Sequence, residues 1–292
     1  MPIINRPMFS AFYSFWDGQV DDLRLCRRVA ESAKKLGCGF TESCRATSIQ
    51  ENNEGWIVDI ADHSGKSKKI SALYVVNALG PWANRFLEAS NISPRYKGFN
   101  NKGIHLVFPD LGLKSALFLQ SPTDDRIFFV IPWLGHTLVG TTESIYDGDP
   151  DRTEATDQDI WYLLKNCNRY LSTKLEESQI QTTFAGLRWL PVENAQSISS
   201  TSRAATLGEH QSSRGFLITI YGGKYTTYRS LAEIIGNSIV SHFGERKESQ
   251  TSRPESWVIA KSNESELLME NPLDRFATQA IPNFEKNKAW RS

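Results

Sequence analysis

The sequence predicts a mixed α/β (α+β) fold, on three observations. Two apolar strands run straight into glycines that open a helix, at Ala78-Leu79-Gly80-Pro81-Trp82 and at Tyr221-Gly222-Gly223-Lys224. Between them, short apolar runs at regular spacing, separated by polar turns, read as an antiparallel sheet. Three stretches, near 21–36, 157–170 and 226–242, repeat apolar residues at helical spacing.

The elements follow in order. Asp21 or Asp22 caps a helix over about Asp21–Leu36, and Gly37 stops it. Cys26, Val29, Ala30, Ala33 and Leu36 share one side of that helix. Strands follow at Phe40–Gln50, Gly55–Ala61 and Ile70–Ala78, a meander ending in a buried strand, ALYVVNA. Ile104–Phe108, Ala116–Gln120, Arg126–Pro132 and Thr137–Thr142 form the central strands. A helix over Asp157–Tyr170 turns Ile160, Leu163, Leu164 and Cys167 inward. A strand at Ile180–Ala185 ends at Gly186-Leu187-Arg188. Ala195–Arg214, rich in Ser, Thr and Gln, reads as an exposed loop or hairpin. Gly215–Tyr221 is a buried strand, and the helix after it buries Leu231, Ile234, Ile235 and Ile239. Glu245–Pro254 reads as a polar linker.

The composition suits a folded chain. Its 292 residues, 40% hydrophobic and 23% charged, suffice for one large domain or two smaller ones. The formal net charge is zero, which gives no broad electrostatic grip on nucleic acid. Cys26, Cys38, Cys44 and Cys167 form no C-x-x-C pair and have no histidine at ligand spacing, so no metal site is expected. They read as reduced thiols of a cytoplasmic protein. The opening MPIINRPMF lacks the apolar region of a signal peptide. No run reaches the ~18 apolar residues needed to span a bilayer, a test that leaves peripheral membrane attachment open.

Several residues carry candidate chemistry. Glycines between a strand and a helix let backbone approach a ligand closely, and a helix N-terminus favours a phosphate, a carboxylate or an electron-rich flavin edge. Packing is the competing explanation for those glycines. His105, in Lys102-Gly103-Ile104-His105-Leu106, shares a strand face with Gly103 and Val107; alone it reads more readily as a structural histidine than as a catalytic one. Arg188, Arg203 and Lys224 lie at the ends of separate elements and could converge on one anion, arginine forks being suited to phosphate. The alternative is three surface charges with local partners.

Taken together, FWDGQVDDLRL (15–25), VVNALGPWAN (75–84), KGIHLVF (102–108), RIFFVIPW (126–133), LVGTTESIYDGDP (138–150), TFAGLRWLPV (183–192) and YGGKYTTYRSLAE (221–233) resemble the FAD-dependent, aerobic-type glycerol-3-phosphate dehydrogenases. These belong among the flavoproteins similar to D-amino-acid oxidase. The resemblance implies a partial Rossmann-like FAD-binding domain over 1–90 and 215–245. It implies an antiparallel-sheet substrate domain over 91–214, and a linker with a remnant of a C-terminal helical domain over 246–292. It implies oxidation of sn-glycerol 3-phosphate to dihydroxyacetone phosphate, with electrons passed through FAD to a quinone.

By motif, His105 is the implied base and Arg188 steadies the alkoxide or orients the substrate. Arg203 and Lys224 hold the phosphate. Ala78, Gly80, Trp82, Gly222, Gly223, Lys224, Tyr225, Thr226 and Thr227 contact the flavin. The implied location is cytoplasmic, peripheral on the inner face of the membrane, with a homodimer as one assembly and no nucleic-acid partner. The family's opening strand, G-x-G-x-x-G turn and helix have no counterpart here, so a truncated chain is expected. A non-catalytic remnant or half of a split enzyme needing a partner, and a related oxidase using oxygen, are the competing functions. Leu79 stands where the family has threonine, Trp189 where proline is common, and Ala204-Ala205 where an aspartate follows the arginine.

Overall fold

Twelve strands and four α-helices make up the computed structural model, which describes residues 3–192, 204–244, 249 and 251–252. The chain divides into two compact units. One takes the residues up to Asp17 together with Asn100–Arg188. The other takes Gly18–Phe99 together with the described residues from Trp189 onward.

In the second unit, α1 (Asp22–Lys35) begins where Asp21 accepts a hydrogen bond from the Arg24 N–H at 3.0 Å. That bond satisfies one of the donors a helix start leaves open. Leu36 is the C-cap and Gly37 follows at φ +94°. The expected apolar side forms, yet no residue of α1 is buried. Next come β1 (Cys44–Asn52), β2 (Gly55–Asp62) and β3 (Ser67–Ala72), an antiparallel sheet in that order.

The expected single strand Ile70–Ala78 is in fact two strands. It breaks at Leu73, and β4 (Tyr74–Asn77) leaves the meander to pair elsewhere. Nor is that strand uniformly buried, since Val76 is 38% exposed. A 3-10 turn over Gly80–Trp82 leads into α2 (Ala83–Ala89), which buries Phe86 and Leu87 against Ile49, Trp56 and Leu217.

The first unit is built on β5 (Gly98–Pro109), β6 (Leu117–Gln120), β7 (Ile127–Trp133), β8 (His136–Gly140), β9 (Ser144–Tyr146) and β10 (Thr182–Pro191). They form one sheet in the order β10-β5-β8-β7-β6, with β9 on the start of β5. The expected antiparallel pairing holds from β5 through β8, β7 and β6. The divide between the units falls inside β5 and β10. Arg188, expected at a strand end, therefore lies within β10.

Between β9 and β10, α3 (Asp157–Tyr170) starts with a capping box. The Thr156 hydroxyl accepts from the Asp159 N–H, and the Asp159 carboxylate accepts from the Thr156 N–H. As expected, Leu163 and Cys167 face inward. They join Ile104, Leu106 and Phe108 of β5, with Phe128, Val130 and Val139, in the largest core cluster. Side chains alternate across a strand. Lys102, Ile104, Leu106 and Phe108 thus take the α3 side, while Asn101, Gly103, His105 and Val107 take the other. Val107 packs there with Leu138, Ile131 and Phe184.

The chain then supplies β11 (Thr206–Gln211), β12 (Phe216–Tyr221) and α4 (Tyr228–Ser241) to the second unit. β12 pairs antiparallel with β11 and parallel with β4. Phe216 and Ile218 pack under Ile235, Leu231 and Ile239 of α4, while Leu217 packs on the opposite side. A strand covered on both sides reads as a continuous apolar run, which is why FLITIY announces itself. Ile234, expected inward on α4, is 58% exposed because it lies off the stripe that meets β12. The segment expected as an exposed loop or hairpin over 195–214 contains β11, whose antiparallel pairing with β12 makes a hairpin, and residues 193–203 are outside those described. Among the described residues, no helix is long and apolar enough to cross a membrane.

Candidate functional site

His105 sits on the face of the six-stranded sheet opposite α3, and three neighbours fix its ring. The Phe184 ring from β10 stacks on it at 4.7 Å between centroids and 7° between planes. Gly140 lies opposite it on β8, where a Cβ would come within 2.5 Å of the imidazole Cδ2. The ring occupies the space that any other residue at 140 would fill. The third neighbour is Arg188, four residues after Phe184 and therefore on the same side of β10. Its Nη1 would be in ordinary contact, 3.5 Å, with a Cβ at Gly103, where a side chain is ruled out instead by the Thr141 hydroxyl at 2.5 Å and the Thr142 carbonyl at 3.1 Å.

Burial strips water from His105, and the Arg188 charge adds to the effect, so its pKa falls from 6.5 to about 4. The imidazole is neutral at physiological pH and can accept a proton. A stability consequence follows. Above pH 6.5 neither folded nor unfolded chain protonates this group. As pH falls from 6.5 towards 4 the unfolded chain takes the proton and the folded chain refuses it. Stability on the order of 3 kcal/mol is therefore expected to be lost across that window from this residue, and to level off below it. Histidine ring resonances followed by NMR should show one midpoint near 4, absent from His105→Gln. A midpoint near 6.5 for His105 would mean that its ring is solvated.

Arg188 reaches Glu143, its Nη1 lying 3.6 Å from the carboxylate. On the α3 side of the sheet lies a cleft of about 400 Å³ lined by Lys102, Asp124, Arg126, Glu143, Asp159 and Tyr162 among others. Its charges are mutually engaged. Lys102 Nζ donates to Asp159 at 2.6 Å, both side chains being buried. Burial pulls the Asp159 carboxyl up, but hydrogen bonds from Lys102 and Thr156 and the Lys102 charge outweigh it. Its pKa therefore lies below the ordinary aspartate value. Tyr162 donates to Asp124 at 2.9 Å, and Arg126 lies 3.4 Å from the same carboxylate.

In the second unit the remaining sequence-predicted residues gather at one end of the parallel pair. Asn77 of β4 is level with Thr219 of β12, so Ala78–Trp82 and Gly222–Thr227 leave the sheet at the same edge. Open α/β sheets bind ligands outside the carboxyl ends of their parallel strands. Gly80, Gly222 and Gly223 have φ of +55°, +72° and +110°. At Gly80 nothing lies within 4 Å of where a Cβ would be, so backbone conformation rather than crowding calls for glycine there. Buried Asn77 shapes this turn, accepting from the Leu79 N–H and donating to the Ala83 carbonyl, both at 3.2 Å. Trp82 closes it, its N–H reaching the Leu79 carbonyl at 3.2 Å.

On the other junction, Lys224 caps a 3-10 turn over Tyr225–Thr227, with Thr226 at its middle. The Thr227 N–H and hydroxyl both donate to the Lys224 carbonyl, at 3.0 and 3.1 Å. The Tyr225 hydroxyl donates to the Asp22 carbonyl of α1 at 2.8 Å. Burial and the neighbouring Cys26 raise the Tyr225 pKa.

His105 and Arg188 thus come together in one unit, and Ala78, Gly80, Trp82, Gly222, Gly223 and Lys224–Thr227 in the other. Arg203 lies outside the described residues. Sequence reasoning missed Phe184, Gly140 and Glu143, although all three fall in motifs it singled out. Strand parity on β10 would have paired Phe184 with Arg188. Trp189, where the resembling family favours proline, packs tilted against Tyr221 at 5.0 Å between centroids and fills the space left by Gly98. Among the described residues, no cluster of three or more His, Cys, Asp or Glu could hold a metal ion.

Comparison with known proteins shows the family. The chain is 33% identical to the aerobic glycerol-3-phosphate dehydrogenase of Escherichia coli (strain K12) over 234 residues, which are 79% of this chain and 47% of that protein. It is 29% identical over 236 residues to the D-erythritol 1-phosphate dehydrogenase of Brucella abortus, covering 80% of this chain and 46% of that one. The crystal structure of the glycerol-3-phosphate dehydrogenase from Bacillus halodurans complexed with FAD superposes with a TM-score of 0.70 at 28% identity. That match covers 80% of this chain and 45% of that one. The chain therefore spans about half the length of the curated relatives it matches. Residues 1–229 match the FAD dependent oxidoreductase family known as DAO, and the chain belongs to that family.

Proposed function

We propose that this chain carries the substrate-oxidising site of an FAD-dependent glycerol-3-phosphate dehydrogenase, converting sn-glycerol 3-phosphate to dihydroxyacetone phosphate with a quinone as final acceptor. The observation that carries the reading is the neutral His105, wedged between Phe184 and Gly140 beside Arg188. Oxidising a secondary alcohol removes a hydride from carbon and a proton from oxygen. FAD, when bound, supplies the two-electron acceptor for the hydride. His105 takes the hydroxyl proton, and Arg188 stabilises the charge that develops on that oxygen. The phosphate falls to Lys224 and Arg203.

The residues present fit the flavin-facing part of a cofactor site. Three glycines with positive φ leave the carboxyl ends of two adjacent parallel strands, where close backbone approach is possible. The sequence contains no G-x-G-x-x-G turn for the pyrophosphate. An inner-face, peripheral membrane location would bring a quinone within reach, and comparing quinone with oxygen as acceptor separates dehydrogenase from oxidase.

A second reading, that this is one half of an enzyme completed by a partner, is favoured by β4. Among the described residues its outer edge carries no strand, and Leu73, Val76 and Leu79 are exposed beside it. Parallel sheets are normally covered, and α1 likewise buries none of its apolar side. The visible spectrum of the purified chain, with FAD added and then glycerol 3-phosphate, tests both. A bound-flavin band that bleaches on adding substrate supports the first reading. Absence of bound flavin overturns it for this chain alone and supports the second.

A further inference from the structure

Glu143 belongs to neither group of residues assigned from the sequence, yet it occupies a fixed and mostly buried position. It follows Thr142, whose hydroxyl accepts from the Ile104 N–H on β5 at 3.1 Å. Its own carbonyl accepts a hydrogen bond from Arg126 Nη1. The Thr142 side chain is thus tied to β5, and the Glu143 carbonyl to Arg126 just ahead of β7. The side chain is 12% exposed and faces Arg188 Nη1 at 3.6 Å. A carboxylate so far out of water is costly without a cation beside it. Arg188 is the looser partner, being 40% exposed on a long side chain with many rotamers.

We propose that Glu143 is the positioning residue of the site: it holds Arg188 beside His105 and offsets the guanidinium charge, so that this end receives an uncharged hydroxyl and not the phosphate. The inference rests on the reading of His105 and Arg188 given above. Its logic is electrostatic. A guanidinium alone would attract the doubly charged phosphate as readily as the alcohol, whereas a guanidinium paired with a carboxylate presents little net charge to a dianion. It can still donate a hydrogen bond to an oxygen that becomes anionic during reaction. The pair would therefore set the direction in which a phosphorylated polyol enters, alcohol towards His105.

The test uses the purified chain and the NMR signal of His105, which senses the Arg188 charge directly. Glu143→Ala is expected to raise the midpoint of His105 because Arg188 swings away, and adding Arg188→Ala to it should move the midpoint no further; Arg188→Ala alone, which leaves the carboxylate in place, should raise it most. An unchanged or lowered midpoint in Glu143→Ala, or a further rise when Arg188→Ala is added to it, would overturn the positioning role. For the charge, Glu143→Gln keeps the size of the side chain. Inorganic phosphate should move the His105 signal of that variant at concentrations at least tenfold lower than in the parent. Equal response in both would overturn the charge argument. Neither measurement needs flavin or turnover, so a chain that fails to bleach flavin leaves this inference standing. Conversely, an unmoved midpoint leaves the proposed activity untouched.

Discussion

Replacing His105 with glutamine is expected to slow substrate-driven flavin reduction by about 10²–10⁴-fold, the usual contribution of a positioned general base. Binding of glycerol 3-phosphate should change little. Glutamine fills much of the slot between Phe184 and Gly140, so the loss reports lost proton transfer and not a collapsed pocket. Stopped-flow absorbance on the FAD-loaded protein, with or without a complementing partner, gives the rate. Because burial and Arg188 hold the imidazole neutral down to about pH 4, the acid limb of the parent rate profile should lie near there and not near 6.5. A near-normal rate in His105→Gln would remove the residue from the chemistry and return it to the structural role that a lone histidine suggests.

The second large effect concerns stability. Lys102→Met is expected to cost about 3–5 kcal/mol, because it leaves the Asp159 carboxylate buried without its cation. Asp159 also serves the capping box of α3, so the loss should spread to the helix that covers one face of the sheet. Urea unfolding followed by circular dichroism measures it. Lys102→Met combined with Asp159→Asn removes both charges and keeps an acceptor for Thr156, and should recover most of the loss. If the single variant is as stable as the parent, the pair contributes nothing net, and the packing of Ile104, Leu106 and Leu163 carries that interface alone.

Much of this was legible in the sequence where local chemistry and tertiary context agree. α3 runs over the expected Asp157–Tyr170 because Thr156 and Asp159 cap it and Leu163 and Cys167 face the sheet. β12 was visible as an apolar run broken only by Thr219 because it is covered on both sides. The break at Leu73 was not legible: Ala72–Val76 is an unbroken apolar stretch across it, and only the choice of partner, β2 for one part and β12 for the other, divides the segment. Arg188 was placed at a strand end because Gly186 looks like punctuation, yet β10 continues to Pro191. Of the site, His105 and Arg188 were legible as motif residues. Phe184, Gly140 and Glu143 were not, since their roles come from cross-strand distances that no spacing along one segment encodes.

The alternation along β5 has a further consequence for how this protein tolerates change. Odd-numbered positions from Asn101 to Val107 face the histidine side, and even-numbered ones from Lys102 to Phe108 face α3. Two selective pressures are thereby interleaved one residue apart on a single strand. Scored separately for folding and for turnover, substitutions here would give two combs whose teeth interlock, the folding comb at even positions and the turnover comb at Gly103 and His105. Deleting a single residue would exchange the combs and forfeit both properties at once. A deletion in the β6–β7 turn, where Ser121–Asp125 joins two strands, would leave the alternation along β5 in register.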